Sequence, residues 1–275
     1  MIEITNLSFS YPKHKVFSDI SLHLEGGNVY GILGQNGVGK TTLLKILAGL
    51  LRSDANSCRV AGYNPYRRQP VFLQDVYYLP EDPATPIGSV EDYALNNGRF
   101  YPHFSVEEFF GFLAKFEINP KDSFKKLSTG QKKKALISYA LALNTKLLLL
   151  DEPSNGMDIP SKALFRSIVS QHLKEDQVMV ISTHQVRDLE NLIDPIIILE
   201  DQGVLLHATT REIAEKLYFF VDRMEDSRAL YTEETPAGYV MVKPNTSGIE
   251  SKVNLEALFN AALLHKEWLK NQFKN

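Results

Sequence analysis

Short apolar runs alternate with longer segments of helical spacing through most of the chain. Ile2–Ser8 and Ile20–Leu24 alternate apolar and polar residues, as half-buried strands do. Val29-Tyr30-Gly31-Ile32-Leu33 is continuously apolar and follows a Gly26-Gly27 turn. Val76–Leu79 is a further strand, stopped by Pro80. Leu147–Leu150 and Val178–Ser182 are apolar throughout, the pattern of strands buried on both faces. A helix over Ser161–Leu173 lies between these two and completes a βαβ unit, and Ile196–Leu199 adds another strand. Helical spacing also covers Thr42–Ala48, Ser89–Phe116 (divided at Pro102) and Gly130–Leu143, the last with Ser128 as its N-cap. Past Leu206 the rhythm changes. Arg211–Leu217 reads as a helix, Ala229–Val242 as a hairpin around Pro236-Ala237-Gly238, and Leu255–Phe273 as one amphipathic helix. The alternation of strand and helix predicts an α/β fold.

Composition narrows the function classes. A length of 275 residues fits one large domain, or a domain with an appendage. A 44% hydrophobic content is ample for a core, and the net charge of −3 gives no electrostatic case for nucleic acid. Cys58 is the single cysteine, so there is no internal disulfide, and a reducing cytosol is expected. Met1-Ile2-Glu3-Ile4-Thr5 lacks the basic and apolar regions of a secretory signal. No apolar run approaches the ~20 residues that span a bilayer. Docking on a membrane protein remains open.

The candidate chemistry begins at Gly34, where the chain reads Gly-Gln-Asn-Gly-Val-Gly-Lys-Thr-Thr to Thr42. This fits the phosphate-loop pattern, and it sits between a strand and a helix as that pattern requires. Gly34, Gly37 and Gly39 free the backbone to aim N–H groups at an anion, and the following helix adds its positive end. Lys40 is placed to reach the β- and γ-phosphates and Thr41 to ligand Mg²⁺, with Asn36 and Thr42 lining the cradle. The ordinary alternative, a glycine-rich turn, does not account for the strand and helix on either side.

A second site is expected at Asp151-Glu152, where two carboxylates close an apolar strand. Alone this is more often a buried strand entering a turn. Beside a phosphate loop it acquires a role, because open α/β sheets bind ligands beyond the carboxyl ends of their strands. Asp151 is then a holder of Mg²⁺, and Glu152 is placed to orient or deprotonate an attacking water.

With Leu127-Ser128-Thr129-Gly130-Gln131 added, the chain over roughly residues 1–210 resembles the ATP-binding subunits of ATP-binding cassette (ABC) transporters. The motif order agrees: Tyr11, phosphate loop, Leu-Ser-x-Gly-Gln, acidic strand, His184. The resemblance implies the ABC ATPase form of the P-loop fold. It has a small antiparallel β subdomain, a helical subdomain at about 84–143, and here an α+β extension at 207–275 after an ATPase domain at 1–206. It implies ATP and Mg²⁺ as cofactors, and Ser128, Gly130 and Gln131 capping the nucleotide of a second subunit, identical or different. An ordinary N-capped helix explains Ser128 but not Gly130-Gln131. Tyr11 matches the adenine-stacking aromatic, with Val16 beside it, although a core tyrosine is the plainer reading. Ser154–Asp158 matches a segment that crosses the dimer interface, and His184 the histidine that senses the γ-phosphate. The family usually carries a glutamine after the Val76–Leu79 strand. Gln74 lies at the wrong end of that strand, so Glu81 takes the slot, as a candidate Mg²⁺ contact. Lys132-Lys133-Lys134 reads as a solvated helix face. Aromatics over Phe100–Phe112 are partly core and partly a surface for the transmembrane partner.

The function expected is an ATPase subunit that powers a separate transmembrane permease, with a lean towards export. It is expected in the cytoplasm, attached through the permease to the inner face of the membrane. Two alternatives remain: a soluble ABC ATPase acting as an assembly scaffold, and a nucleotide-binding module without hydrolysis. Lys40 and Asp151 are too close in sequence for a long coiled-coil insertion between them, and a single phosphate loop excludes a tandem arrangement.

Overall fold

The computed structural model describes residues 1–54 and 57–273. In chain order the strands and helices are β1 (Ile2–Tyr11), β2 (His14–Leu24), β3 (Asn28–Leu33), α1 (Lys40–Leu47), β4 (Cys58–Val60), α2 (Pro70–Gln74) and β5 (Val76–Leu79). They continue with α3 (Val90–Gly98), α4 (Val106–Lys115), α5 (Thr129–Ala142), β6 (Leu147–Asp151), α6 (Ile159–His172), β7 (Val178–Thr183), β8 (Ile196–Glu200) and β9 (Gly203–Ala208). The last part contains α7 (Thr210–Lys216), β10 (Leu217–Asp222), β11 (Tyr231–Thr235), β12 (Gly238–Pro244), α8 (Leu255–Leu264) and α9 (Lys266–Gln272).

The central sheet runs β5-β6-β7-β3-β8-β9. All its neighbours are parallel except β8 and the edge strand β9. Side-chain alternation divides it between two cores. Leu147 and Leu149 of β6 pack with α1 and the antiparallel sheet β2-β1-β4, whereas Leu148 and Leu150 face α5 and α6. A strand with helices or a sheet on both sides must be apolar on both faces, which is why β6 and β7 read as unbroken apolar runs.

The helical subdomain is built on aromatic packing. Tyr139 of α5 is buried, and the rings of Tyr77, Tyr93 and Phe104 meet it edge-on or tilted at 5.2–5.8 Å between centroids. Such geometry sets the electropositive ring edge against the electronegative face. Cys58 is buried, and burial pushes its thiol up to about 12, which favours the protonated form over the reactive thiolate.

The C-terminal part departs from expectation in two places. The Leu255–Phe273 helix is broken at His265, whose backbone (φ −124°, ψ 47°) leaves the helical region between α8 and α9. The hairpin gains a third strand, giving the sheet β10-β12-β11. β10 starts directly on the helix end and so had no turn signal to announce it. Residue 206, the expected end of the ATPase domain, lies inside β9. Leu205, Leu206, Leu255 and Leu258 belong to one continuous core. Three more short elements, β4, α2 and β9, offer too few residues for a periodicity to show.

Gly49 follows α1 with φ +70°, and a Cβ there would lie 2.2 Å from the Pro65 carbonyl oxygen. Both the left-handed backbone and the contact demand glycine. Gly49→Ala is expected to cost roughly 1–3 kcal/mol, read as a lower urea midpoint. An unchanged midpoint would refute this account of the turn.

Candidate functional site: a phosphate cradle beside a buried acidic pair

Strand register brings the candidate residues together. β3, β7, β6 and β5 are consecutive in the sheet, with Leu33 opposite Thr183 and Asp151 opposite Ser182. Their carboxyl ends are therefore level, and everything that leaves them emerges at one edge. A cleft of about 370 Å³ lies there. Tyr11, Val16, Asn36, Gly37, Gly39, Lys40, Thr41, Thr42, Glu81, Asp151 and Glu152 line it, together with His14, which sequence reasoning missed because a lone histidine at the start of a strand carries no signal.

The phosphate loop is braced from behind. Gly37 and Gly39 have φ of +86° and +111°. A Cβ on Gly39 would come within 2.6 Å of Val16 and 2.7 Å of Phe17, so β2 supports the loop closely. Lys40 is buried, and its Nζ donates to the carbonyl oxygens of Gly34 (2.7 Å) and Gln35 (3.1 Å). Two of its three donors are thus used, leaving one for a ligand. Burial lowers the Lys40 pKa, against the opposing pull of Glu152, Asp151 and Glu81. A bound phosphate favours the charged form and so is drawn to this site. Tyr11 is 41% exposed, which removes the core-tyrosine reading. Its hydroxyl lies 3.4 Å from Thr42 Oγ1.

Asp151 is buried and held by hydroxyl donors. Thr41 Oγ1 donates to its Oδ2 at 2.7 Å and Tyr78 to the same oxygen at 3.1 Å, while Ser182 Oγ donates to Oδ1. Burial, and after it Asp151 itself, raise the Tyr78 pKa, so the phenol keeps its proton and remains a donor. Tyr78 was read only as part of a strand, and Ser182 only as a strand end. A polar side chain closing an apolar strand was the available signal for Ser182.

Glu152 is buried, with a left-handed backbone (φ 47°). Its N–H donates to Ser182 O (3.1 Å) and Ser182 Oγ (3.2 Å). Its Oε1 lies 2.7 Å from His184 Nδ1, whereas Oε2 is buried without a partner. A buried carboxylate oxygen without a donor marks a place where a polar ligand atom is due.

Mg²⁺ is tested by the donor set. Thr41 and Asp151 offer hard oxygens to one side of the cradle. No group of three or more His, Cys, Asp or Glu residues forms a metal cage among the described residues. That suits Mg²⁺, which takes one or two protein oxygens and completes its shell with phosphate and water. Glu81 lines the same cleft, and its Oε1 accepts from Asn155 Nδ2 at 2.9 Å. Gln74 closes α2, at the opposite end of β5.

Ser128, Gly130 and Gln131 lie outside this cleft. Ser128 caps α5 and Gln131 completes a reciprocal capping box, with Ser128 N to Gln131 Oε1 at 2.9 Å and Gln131 N to Ser128 Oγ at 3.2 Å. A Cβ on Gly130 would lie 2.8 Å from Gly156 O. Local structure therefore accounts for Gly130-Gln131 as well as Ser128, contrary to the expectation that capping explains Ser128 alone. The solvated face expected at Lys132–Lys134 is also corrected. Lys133 is buried and Lys134 is half-buried, because α5 is packed on nearly every side.

The model of the ABC transporter family matches residues 17–155. An uncharacterized ABC transporter ATP-binding protein of Methanocaldococcus jannaschii is 28% identical, over 94% of this chain and 97% of its own. The Nod factor export ATP-binding protein I of Burkholderia lata is 30% identical over 73% and 68%. The methionine import ATP-binding protein MetN of Carboxydothermus hydrogenoformans is 28% identical over 78% and 67%. The solved structure of an ATP-binding subunit of an ABC transporter superposes with a TM-score of 0.71 at 23% identity, covering 78% of this chain and 91% of that one.

Ser182→Ala leaves Asp151 Oδ1 without its donor and takes one acceptor from the Glu152 N–H. A loss of about 1–3 kcal/mol is expected in chemical denaturation without nucleotide. A wild-type transition would show that Ser182 does not hold the acidic pair.

Proposed function

Because the chain belongs to the ABC transporter family, whose members couple ATP hydrolysis to transport, we propose that it is the ATPase subunit that drives a separate permease. The observation that carries this reading is the division of labour on Glu152: Oε1 held by His184, Oε2 buried and free. A general base needs one fixed orientation and one oxygen not already engaged by the protein.

In this reading the loop N–H groups and Lys40 bind the phosphates of ATP, while Tyr11 and Val16 receive the adenine. Asn36, Gly37, Gly39 and Thr42 shape the cradle. Thr41 and Asp151 hold Mg²⁺, with Glu81 as a further contact, and the ion offsets phosphate charge when bound. Glu152 Oε2 takes a proton from the attacking water as its oxygen bonds to the γ-phosphorus and the bond to ADP breaks. His184 fixes Glu152 and, in this reading, senses the γ-phosphate.

Ser128 is exposed at a helix start outside its own cleft. There its hydroxyl and the helix dipole suit the γ-phosphate of a second subunit, alike or different. Residues 1–206 form the ATPase domain and 207–275 an accessory region. A groove of about 430 Å³ lined by Tyr77, Tyr93, Phe100, Tyr101 and Tyr139 supports docking of the permease on the helical subdomain. Among the described residues no helix is long and apolar enough to cross a membrane. The permease supplies the path and holds the subunit at the inner membrane face. Export is the direction we favour, from the tail around Asn254–Phe259 and the export-named Burkholderia relative. The import-named relative keeps the opposite direction as the competing outcome.

Glu152→Gln is expected to slow ATP hydrolysis about 100-fold or more, while ATP shifts the variant from monomer to dimer in light scattering. Hydrolysis at the normal rate would rule out Glu152 as the base. Recovery of the protein with only soluble partners from gently solubilised membranes would favour the scaffold function instead.

A further inference from the structure

Three lysines in a row at the start of a helix cannot share a face, since each residue turns the helix by about 100°. Packing of α5 on neighbouring elements sends the middle one inward. Lys133 is 6% exposed, and its Nζ donates to the backbone oxygen of Glu152 at 2.8 Å. A buried ammonium is unfavourable unless charge and hydrogen bonds compensate it. Here the compensation comes from Glu81, Asp82, Glu152 and Asp151, all near enough to oppose the lowering of its pKa by burial. Lys133 thus meets the acidic pair through the backbone oxygen of Glu152 and its surrounding carboxylates.

The oxygen it holds belongs to the residue with the left-handed backbone. Glu152 is fixed at its N–H by Ser182 and at its carbonyl by Lys133, which leaves its peptide little freedom. The same end of α5 makes two further contacts with the segment beyond Glu152. Gly130 sits close against Gly156 O, and Lys134 Nζ reaches Ser161 Oγ at 3.3 Å and Asp158 Oδ2 at 3.9 Å. The helix that begins with Ser128 is thus attached directly to the turn that aims Glu152.

We propose that Lys133 is a positioning residue for Glu152, and that through it the seating of α5 sets the aim of the carboxylate in the same subunit. This rests on the reading of Glu152 as the base. Lys133 is not among the residues that line the cleft, so its loss leaves binding intact and misdirects the proton acceptor. Small errors of this kind cost about 10- to 100-fold in rate.

The test uses the full-length subunit with Lys133→Met and Lys133→Arg, and Glu152→Gln alongside. Lys133→Met should lower kcat at least about tenfold, with KM and the dissociation constant for ATP within twofold of wild type. Thermal melts give the folded fraction by which each rate is divided. Lys133→Arg keeps the cation and the donor, and should recover most of the rate. A folded Lys133→Met with normal kcat, or Met and Arg variants that are equally slow, would overturn the proposal. If Glu152→Gln itself hydrolyses ATP at the wild-type rate, the base assignment fails instead, whatever Lys133 does.

Discussion

Two adjacent carboxylates buried at the end of a central strand are the constraint around which the rest is arranged. Asp151 and Glu152 are nearly sealed from water, and a desolvated carboxylate is tolerated only where donors or cations meet it. Thr41, Tyr78 and Ser182 satisfy Asp151, and His184 holds one oxygen of Glu152. Lys40 and Lys133 both place positive charge near the pair. These groups come from β5, β7, α1, α5 and the loop after β7. The acidic pair is therefore where the helical subdomain, the central sheet and the phosphate loop meet, and moving any of them disturbs its solvation.

Much of this was legible in the sequence because period and punctuation were strong. The buried strands announced themselves as apolar runs, and the phosphate loop by its glycines between strand and helix. Ser128 announced α5 as a cap. What failed did so for identifiable reasons. Lys133 looked solvated because charge runs usually are, and its burial depends on which neighbours surround α5. Tyr78 fits a strand pattern equally well as packing or as donor. The break at His265 has no proline or glycine to mark it, and only the tertiary fit of α8 and α9 shows it. Glu81 was placed by the direction of its strand, and the structure sets it on the cleft side of β5 with Gln74 opposite.

The elements after β9 are joined to the central sheet and its loops by polar contacts as well as by shared core. Arg187, three residues beyond His184, pairs with Glu256 at the start of α8. Lys266 of α9 binds both Glu200 and Asp201 at the turn between β8 and β9. The exposed Arg187–Glu256 pair contributes little stability and fixes orientation, whereas Lys266 and Glu200 meet in a partly buried setting. The strongest tie is apolar, through Leu255, Leu258 and Leu269 in the common core.

The left-handed backbone at Glu152 has a consequence for how such a protein ages under selection. A residue with a Cβ held at φ 47° carries local strain, and glycine would relieve it. With Glu152 read as the base, heat resistance and turnover therefore pull this one position in opposite directions.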